Sequence, residues 1–241
     1  MHDGFMEGNR GSGGGPAQLT LASHAQCGAL TELVRDLAGR LPGARIESFP
    51  PAAAVYRPGD PTDHLLLVVE GLVRTSILGE AGQEFILHDY AAGEAFGELC
   101  FCEVRARQEQ ATALAPSRVA RIGLAELRAF AAGDGFFQLL EMFTHRQAEL
   151  ARQLHELALS TVRERLVRFL ARSAVGPTDQ DGFCPVPGRM THQEIAARIF
   201  TTREQVSAHL AALRREGHVR YGRGAPTGLR VRRAALEQML P

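Results

Sequence analysis

Thr191–Leu213 reads THQEIAARIFTTREQVSAHLAAL. Two short amphipathic helical patterns lie in it, about one turn apart. Each opens on the same spacing: Thr191 stands three residues before Glu194, and Thr201 three before Glu204. In that arrangement a hydroxyl and a carboxylate satisfy backbone donors left open at a helix start, so both stretches are expected to carry capping boxes. Two capped helices in close succession predict a helix-turn-helix. The second would present Arg203, Glu204 and Ser207 near its N-terminal end. Those side chains match the donor and acceptor patterns of base edges in a duplex major groove.

Downstream, HVRYGRGAPTGLRV reads as two short strands around a Gly/Pro-rich tip, the wing of a winged helix. Arg220, Arg223 and Arg230 lie there, as candidates for phosphate contact or as solvated charge. Ala234–Leu240 reads as a short closing helix. The formal net charge is zero, yet from Pro185 onward ten arginines face four acidic residues, a balance of +6 that leaves −6 for residues 1–184. A basic module on an acidic body fits a nucleic-acid binder. The chain has no lysine, which first suggests compositional bias.

Upstream, Gly176–Gly188 reads as a loop. Before it, a helical pattern runs from about Phe136 to Ser173. Phe143, Gln147, Leu150, Leu154, Leu157 and Thr161 step through it by alternating four and three residues, a coiled-coil seam. A helix buried within its own chain is the plain alternative. A two-fold partner is favoured because helix-turn-helix proteins bind paired half-sites. Thr161 and the residues after it, where the seam weakens, are hinge candidates. From about Ile46 to Ile122, HLLLVVE, LVRTSIL, EFILH and SRVARI alternate with glycine turns, predicting a compact all-β roll with a hairpin tip at Gly79–Gly82. Leu124–Phe130 reads as a short helix closed by Gly133-Asp134-Gly135, and Leu30–Leu41 as a helix ended by Pro42-Gly43. The expected plan is α+β: a tail over 1–24 with no fixed structure, a double-stranded β-helix sensor over 25–133, a dimerisation helix over 134–175, and a winged helix-turn-helix over 176–241.

Several classes are disfavoured. No apolar run has the length of a membrane span, and the N-terminus lacks the apolar core of an export signal. The four cysteines (Cys27, Cys100, Cys102 and Cys184) are irregularly spaced, so reduced thiols in a cytoplasm are expected, with Cys100 and Cys102 an inert pair and no metal. No Ser-His-Asp, Cys-His or phosphate-loop constellation supports an enzyme, and GSGGG at Gly11–Gly15 lacks the lysine of a phosphate loop.

Roll, long helix and winged helix, in that order, resemble the cyclic AMP receptor/FNR family of bacterial transcription regulators. The likeness covers roughly residues 25–241. It is carried by RPGD (Arg57–Asp60), Gly71, GEAFGEL (Gly93–Leu99), THQEIA and TTREQVS. The resemblance implies a homodimer on double-stranded DNA, usually an activator working with RNA polymerase, and an effector held in the roll. It places Arg203 against guanine, Glu204 against cytosine and Ser207 at a third base, with Thr202, His209 and Arg220 toward phosphates. A position that is commonly Arg is Ala208 here. Phe200 stands where glycine is usual in the turn, so strain at positive φ predicts an altered turn.

For the effector, the resemblance points to Gly97, Glu98, Leu99, Arg107, Gln108 and Leu150. A carboxylate accepts a ribose hydroxyl, glycine allows close backbone approach, and arginine pairs with a phosphate. Gln108 replaces a serine, and Leu150 and Ala151 replace the Thr-Ser pair that reads adenine. A cyclic nucleotide is therefore a candidate effector whose recognition differs from the family's usual mode, and a ligand-independent regulator stays open beside it. So does a cyclic-AMP-dependent regulator, and so does a ligand sensor whose DNA module is secondary. A Glu98–Arg107 ion pair inside the roll is the structural reading of those two residues. Relatives that sense oxygen use a cysteine cluster where Cys27 stands alone, and the haem ligand pair is incomplete because Val104 follows Cys102 by two.

Overall fold

The computed structural model describes residues 41–80, 82–133, 135–188, 190–221 and 228–240. The 1–24 tail, the 30–40 part of the first helical pattern, Cys27, Ala81 of the hairpin tip, Asp134 and Arg223 lie outside them.

Among the described residues, eight strands form the roll: β1 (Arg45–Phe49), β2 (Ala54–Tyr56), β3 (His64–Glu70), β4 (Leu72–Leu78), β5 (Glu84–Ala91), β6 (Ala95–Phe96), β7 (Gln110–Ala113) and β8 (Ser117–Gly123). They pair antiparallel into two sheets, β1-β8-β3-β6 and β2-β7-β4-β5. Strand β3 shows why its sequence is an unbroken apolar run. Leu66 and Val68 fill the roll interior with Val73, Tyr90, Phe96 and Val119. Leu65 and Leu67 point the other way, against Leu127 and Phe130 of helix α1 (Leu124–Ala132) and Leu139 of helix α2 (Phe136–Leu159). A strand covered on both faces carries no polar alternation. Each such leucine contributes about 1.5–3 kcal/mol relative to exposure. Gly71 turns β3 into β4 at φ +95, and a Cβ there would stand 2.5 Å from the Pro116 carbonyl oxygen.

The single long helix expected over Phe136–Ser173 is two helices. Ser160 is extended (φ −116, ψ 138), and α3 (Val162–Ser173) starts afresh. The cause is local. Thr161 accepts the Glu164 N–H at 3.3 Å, and its own N–H donates to Glu164 Oε2 at 2.7 Å, a complete capping box. Arg168 donates to Ser160 Oγ at 3.1 Å across the joint. Helix α3 then buries Leu166, Val167 and Leu170 among Ile195, Val206, Leu210, Leu213, Val231 and Leu236. It is thus part of the DNA module rather than of a dimerisation helix ending at 175.

Of the expected seam, Gln147, Leu150 and Leu154 face solvent. Phe143 turns onto the roll, edge-on to Phe101 at 5.3 Å between ring centres. The solvent-facing apolar stripe of α2 is Phe137 (76 % exposed), Leu140 (48 %), Leu150 (45 %) and Leu154 (67 %).

Beyond α3, strand β9 (Cys184–Pro185), helices α4 (His192–Arg198) and α5 (Arg203–Arg215), strands β10 (Val219–Tyr221) and β11 (Leu229–Val231) and helix α6 (Arg233–Glu237) complete a winged module with sheet order β10-β11-β9. Among the described residues no helix is long and apolar enough to cross a membrane.

Candidate nucleic-acid interface and sensor pocket

Helices α4 and α5 form the helix-turn-helix, and their caps differ from expectation. Thr191 caps α4 and accepts the Glu194 N–H at 3.1 Å. The Glu194 carboxylate does not close the box; it turns sideways to Arg198 at 3.2 Å and Arg74 at 3.3 Å. The cap of α5 is Thr202, not Thr201: its hydroxyl accepts the Gln205 N–H at 3.4 Å. Thr201 is buried one residue earlier, its N–H on the Ala196 carbonyl at 3.0 Å and its hydroxyl on the Gln205 side-chain oxygen. The turn keeps a left-handed residue although that residue is Phe200, at φ +55. A side chain there costs about 1–2 kcal/mol. The ring is compensated by stacking on Phe85 of β5 at 5.9 Å, 8° from parallel. Arg165 holds the same turn, donating to the Ile199 carbonyl at 2.9 Å and the Phe200 carbonyl at 3.4 Å.

Helix α5 buries Val206, Leu210 and Leu213 and turns Arg203, Glu204 and Ala208 outward, with Ser207 and His209 half-buried beside them. Arg203 and Glu204 occupy the exposed first turn. Ser207 is engaged within the protein: it donates to the Arg203 carbonyl at 2.8 Å and lies 2.8 Å from His192 Nδ1. Arg220 is likewise held. Its guanidinium bonds Asp181 at 2.8 Å and also Asp179, and it lies 4.1 Å over the Phe183 ring. Arg230 meets Asp179 at 2.9 Å. The backbone N–H of Phe183 first, and Arg220 and Arg230 after it, hold the Asp179 carboxyl below its ordinary range.

In the roll, Gly97 (φ +83) leads into a 3-10 turn, Glu98–Phe101. A Cβ on Gly97 would stand 2.7 Å from Arg107 Nη1, so the glycine lets that guanidinium in. Arg107 is 3 % exposed. It donates to the Gly97 carbonyl at 3.0 Å and the His64 carbonyl at 2.7 Å, and lies 4.6 Å over the Tyr56 ring. Glu98 is not paired with Arg107; its partner is Arg146 of α2, at 3.7 Å. Arg146 also lies 5.3 Å over the Tyr90 ring. Leu99 is half-buried, while Gln108 and Leu150 face solvent, so the six predicted effector residues do not converge on one cavity wall. Arg146 is the residue that sequence reasoning missed, though it lies one helical turn before Leu150.

The chemistry of Arg107 and Arg146 suits the anionic end of a cyclic nucleotide. Arg107 Nε and Arg146 Nε and Nη1 are buried N–H groups without hydrogen-bond partners, the donor set an anion completes. Leu150 and Ala151, where the resemblance expects the hydroxyls that read a base, offer no side-chain donor or acceptor. Cys100 is buried, and burial pushes its thiol up to about 11; Cys102 is exposed, its Sγ donating to the Leu99 carbonyl at 3.1 Å. Among the described residues no three metal-ligating side chains gather.

A half-buried ionic latch joins roll and DNA module. Asp89 of β5 accepts from Arg74 Nε at 2.7 Å and Nη2 at 3.0 Å, and from Arg198 of α4 at 2.6 Å. Glu194 joins both arginines. Burial alone would raise the Asp89 carboxyl; Arg74 and Arg198 outweigh it and hold it below the usual carboxylate range. Gln153 of α2 donates to the Leu87 carbonyl at 3.2 Å beside the latch.

A winged helix-turn-helix carried on a roll of this kind defines a DNA-binding transcription regulator with a sensor domain. Residues 46–134 match the cyclic nucleotide-binding domain family, and residues 164–239 match the Crp-like helix-turn-helix domain family. The chain is 31 % identical over 199 residues to the cyclic AMP receptor protein of Thermus thermophilus, a match covering 78 % of this chain and 84 % of that protein. It is 27 % identical to a CRP-like cAMP-activated global transcriptional regulator of Mycobacterium tuberculosis, covering 71 % and 78 %. A crystal structure of a CRP/FNR-family transcriptional regulator from Thermus thermophilus superposes with a TM-score of 0.60 at 25 % identity, covering 81 % and 97 %. The chain belongs to the cyclic AMP receptor/FNR family of transcription regulators.

Proposed function

We propose that the chain acts as a homodimer that reads a two-fold duplex site, recruits RNA polymerase, and takes its signal from an anionic effector in the roll. The observation that carries the DNA reading is the exposed first turn of α5, with Arg203 and Glu204 presented from a capped start. Arg203 suits guanine O6/N7, Glu204 accepts from cytosine N4, and Ser207 meets a third base. Thr202 and His209 border the phosphates, and Arg220 joins them once a phosphate displaces Asp179 and Asp181. A second copy covers the stripe Phe137, Leu140, Leu150 and Leu154, because two such modules must meet half-sites about one helical turn apart. Fluorescence anisotropy on a two-fold duplex tests this, with affinity expected to fall steeply as salt rises.

The effector reading rests on Arg107 and Arg146. The mycobacterial relative is described as cAMP-activated. Here the phosphate end of the site remains, while the base end has lost its hydroxyls. Calorimetry with cyclic AMP and cyclic GMP should therefore show binding with less than about tenfold preference between them, abolished by Arg107→Ala. Strong selection for adenine would contradict this reading.

A further inference from the structure

His192 begins α4 and touches both other parts of the reading module. Its Nδ1 lies 2.8 Å from Ser207 Oγ on α5, and its Nε2 lies 3.2 Å from Tyr221 Oη on β10. Proton counting fixes the direction of this chain. Ser207 has one O–H, and it is donated to the Arg203 carbonyl at 2.8 Å. The contact at His192 Nδ1 must then be supplied by the ring, so Nδ1 carries the proton. In that tautomer Nε2 is left as an acceptor, and the Tyr221 O–H donates to it. Burial raises the Tyr221 phenol, against the opposing pull of Arg214, which keeps that donor protonated.

With its proton on Arg203 and one lone pair filled by His192, Ser207 Oγ has a single lone pair left. A free serine hydroxyl turns to meet either donors or acceptors on a base edge. This one can only accept. In the major groove the donors are the adenine N6 and cytosine N4 amino groups; guanine offers only acceptors and thymine an acceptor and a methyl group.

We propose that His192 is a specificity-determining positioning residue: by donating to Ser207 it holds that hydroxyl as an acceptor and restricts the base opposite it to adenine or cytosine. The inference rests on the reading that Ser207 faces DNA. Neither Thr191, which caps the same helix, nor the exposed Arg203 performs this task, because neither lies on Ser207 Oγ opposite its donated proton.

Selection of the full-length chain on a randomised two-fold duplex pool tests it, with Ser207→Ala marking the base position concerned. Wild type should favour adenine or cytosine there by about tenfold, one base-edge contact's worth of discrimination. His192→Ala should reduce that preference to about twofold and leave the guanine preference set by Arg203 unchanged. His192→Asn keeps an N–H near the Nδ1 position and should restore most of the preference. Guanine or thymine at the Ser207 position, an unchanged preference in His192→Ala, collapse at the Arg203 position as well, or no rescue by asparagine would each overturn the role of His192. If Arg203→Ala and Ser207→Ala leave the selected sequence untouched, the reading face itself is wrong and the inference falls with it.

Discussion

Asp89→Asn will release the DNA module from the roll. Asp89 and Arg198 are 14 % and 8 % exposed in their side chains, so the neutral variant leaves the Arg198 and Arg74 guanidiniums sharing an amide and the single Glu194 carboxylate. Breaking one partner of a buried pair costs about 3–5 kcal/mol when the orphaned charge cannot escape. These side chains keep some solvent contact and Glu194 stays beside them, so that figure is a ceiling. A shift of about 100-fold between latched and open forms is expected. Single-molecule energy transfer between dyes on the roll and the module should show one narrow distance for wild type and a broad distribution for the variant. Base preference should stay unchanged, while dependence on half-site spacing loosens. Asp89→Ala with Arg198→Ala should be little worse than either alone, since both remove the same interaction. The latch should also resist acid. The folded Asp89 carboxyl lies below its unfolded value of about 3.9, so its contribution is complete above that pH and is lost only as pH falls through the lower folded value. A narrow wild-type distance retained in Asp89→Asn would show that the latch holds nothing.

Leu154→Asp is expected to separate the proposed homodimer without harming the protomer. Leu154 is 67 % exposed, so its own chain loses little by the change. In a two-fold helix pair the same carboxylate would be buried against its copy, at a cost of several kcal/mol. Sedimentation should give a monomer. Affinity for a two-fold duplex should drop about 10²–10⁴-fold as the linked second half-site is lost, while affinity for one half-site changes little. A dimer that survives Leu154→Asp would place the partner surface elsewhere.

How far the sequence can be read follows the range of the interactions. Strands β3 and β4 coincide with HLLLVVE and LVRTSIL because a short β-branched and leucine-rich apolar run, bounded by Gly71 and Gly79, specifies a strand locally. The reading helix is legible because capping and apolar spacing act within one turn. Thr201 and Thr202 are not separable by spacing: either can cap, and only the backbone decides, extended at Thr202 (φ −96, ψ 155) and buried at Thr201. The break at Ser160 carries a visible signal, the Thr161-to-Glu164 spacing that marks a helix start, inside a pattern whose periodicity conceals it. The exposed stripe of α2 keeps Leu150 and Leu154 of the periodic seam, while Phe143, one heptad earlier on the same face, is taken up by Phe101 of the roll, a contact that no local spacing announces. The latch is out of reach, since Asp89 and Arg198 are 109 residues apart and no local periodicity links them. Arg146 is hidden for the same reason: its partner Glu98 sits on a different element, and only the packing of α2 on the roll brings them together.

The most direct test of the account is the binding of Arg203→Ala to a selected two-fold duplex and to random DNA of equal length, at one salt concentration. Arg203 is predicted to read a base, so the variant should lose about 1–3 kcal/mol on the selected site, lose its guanine preference there, and bind random DNA nearly as wild type does. Equal losses on both duplexes would reduce Arg203 to a phosphate contact and contradict the reading face on which the account stands.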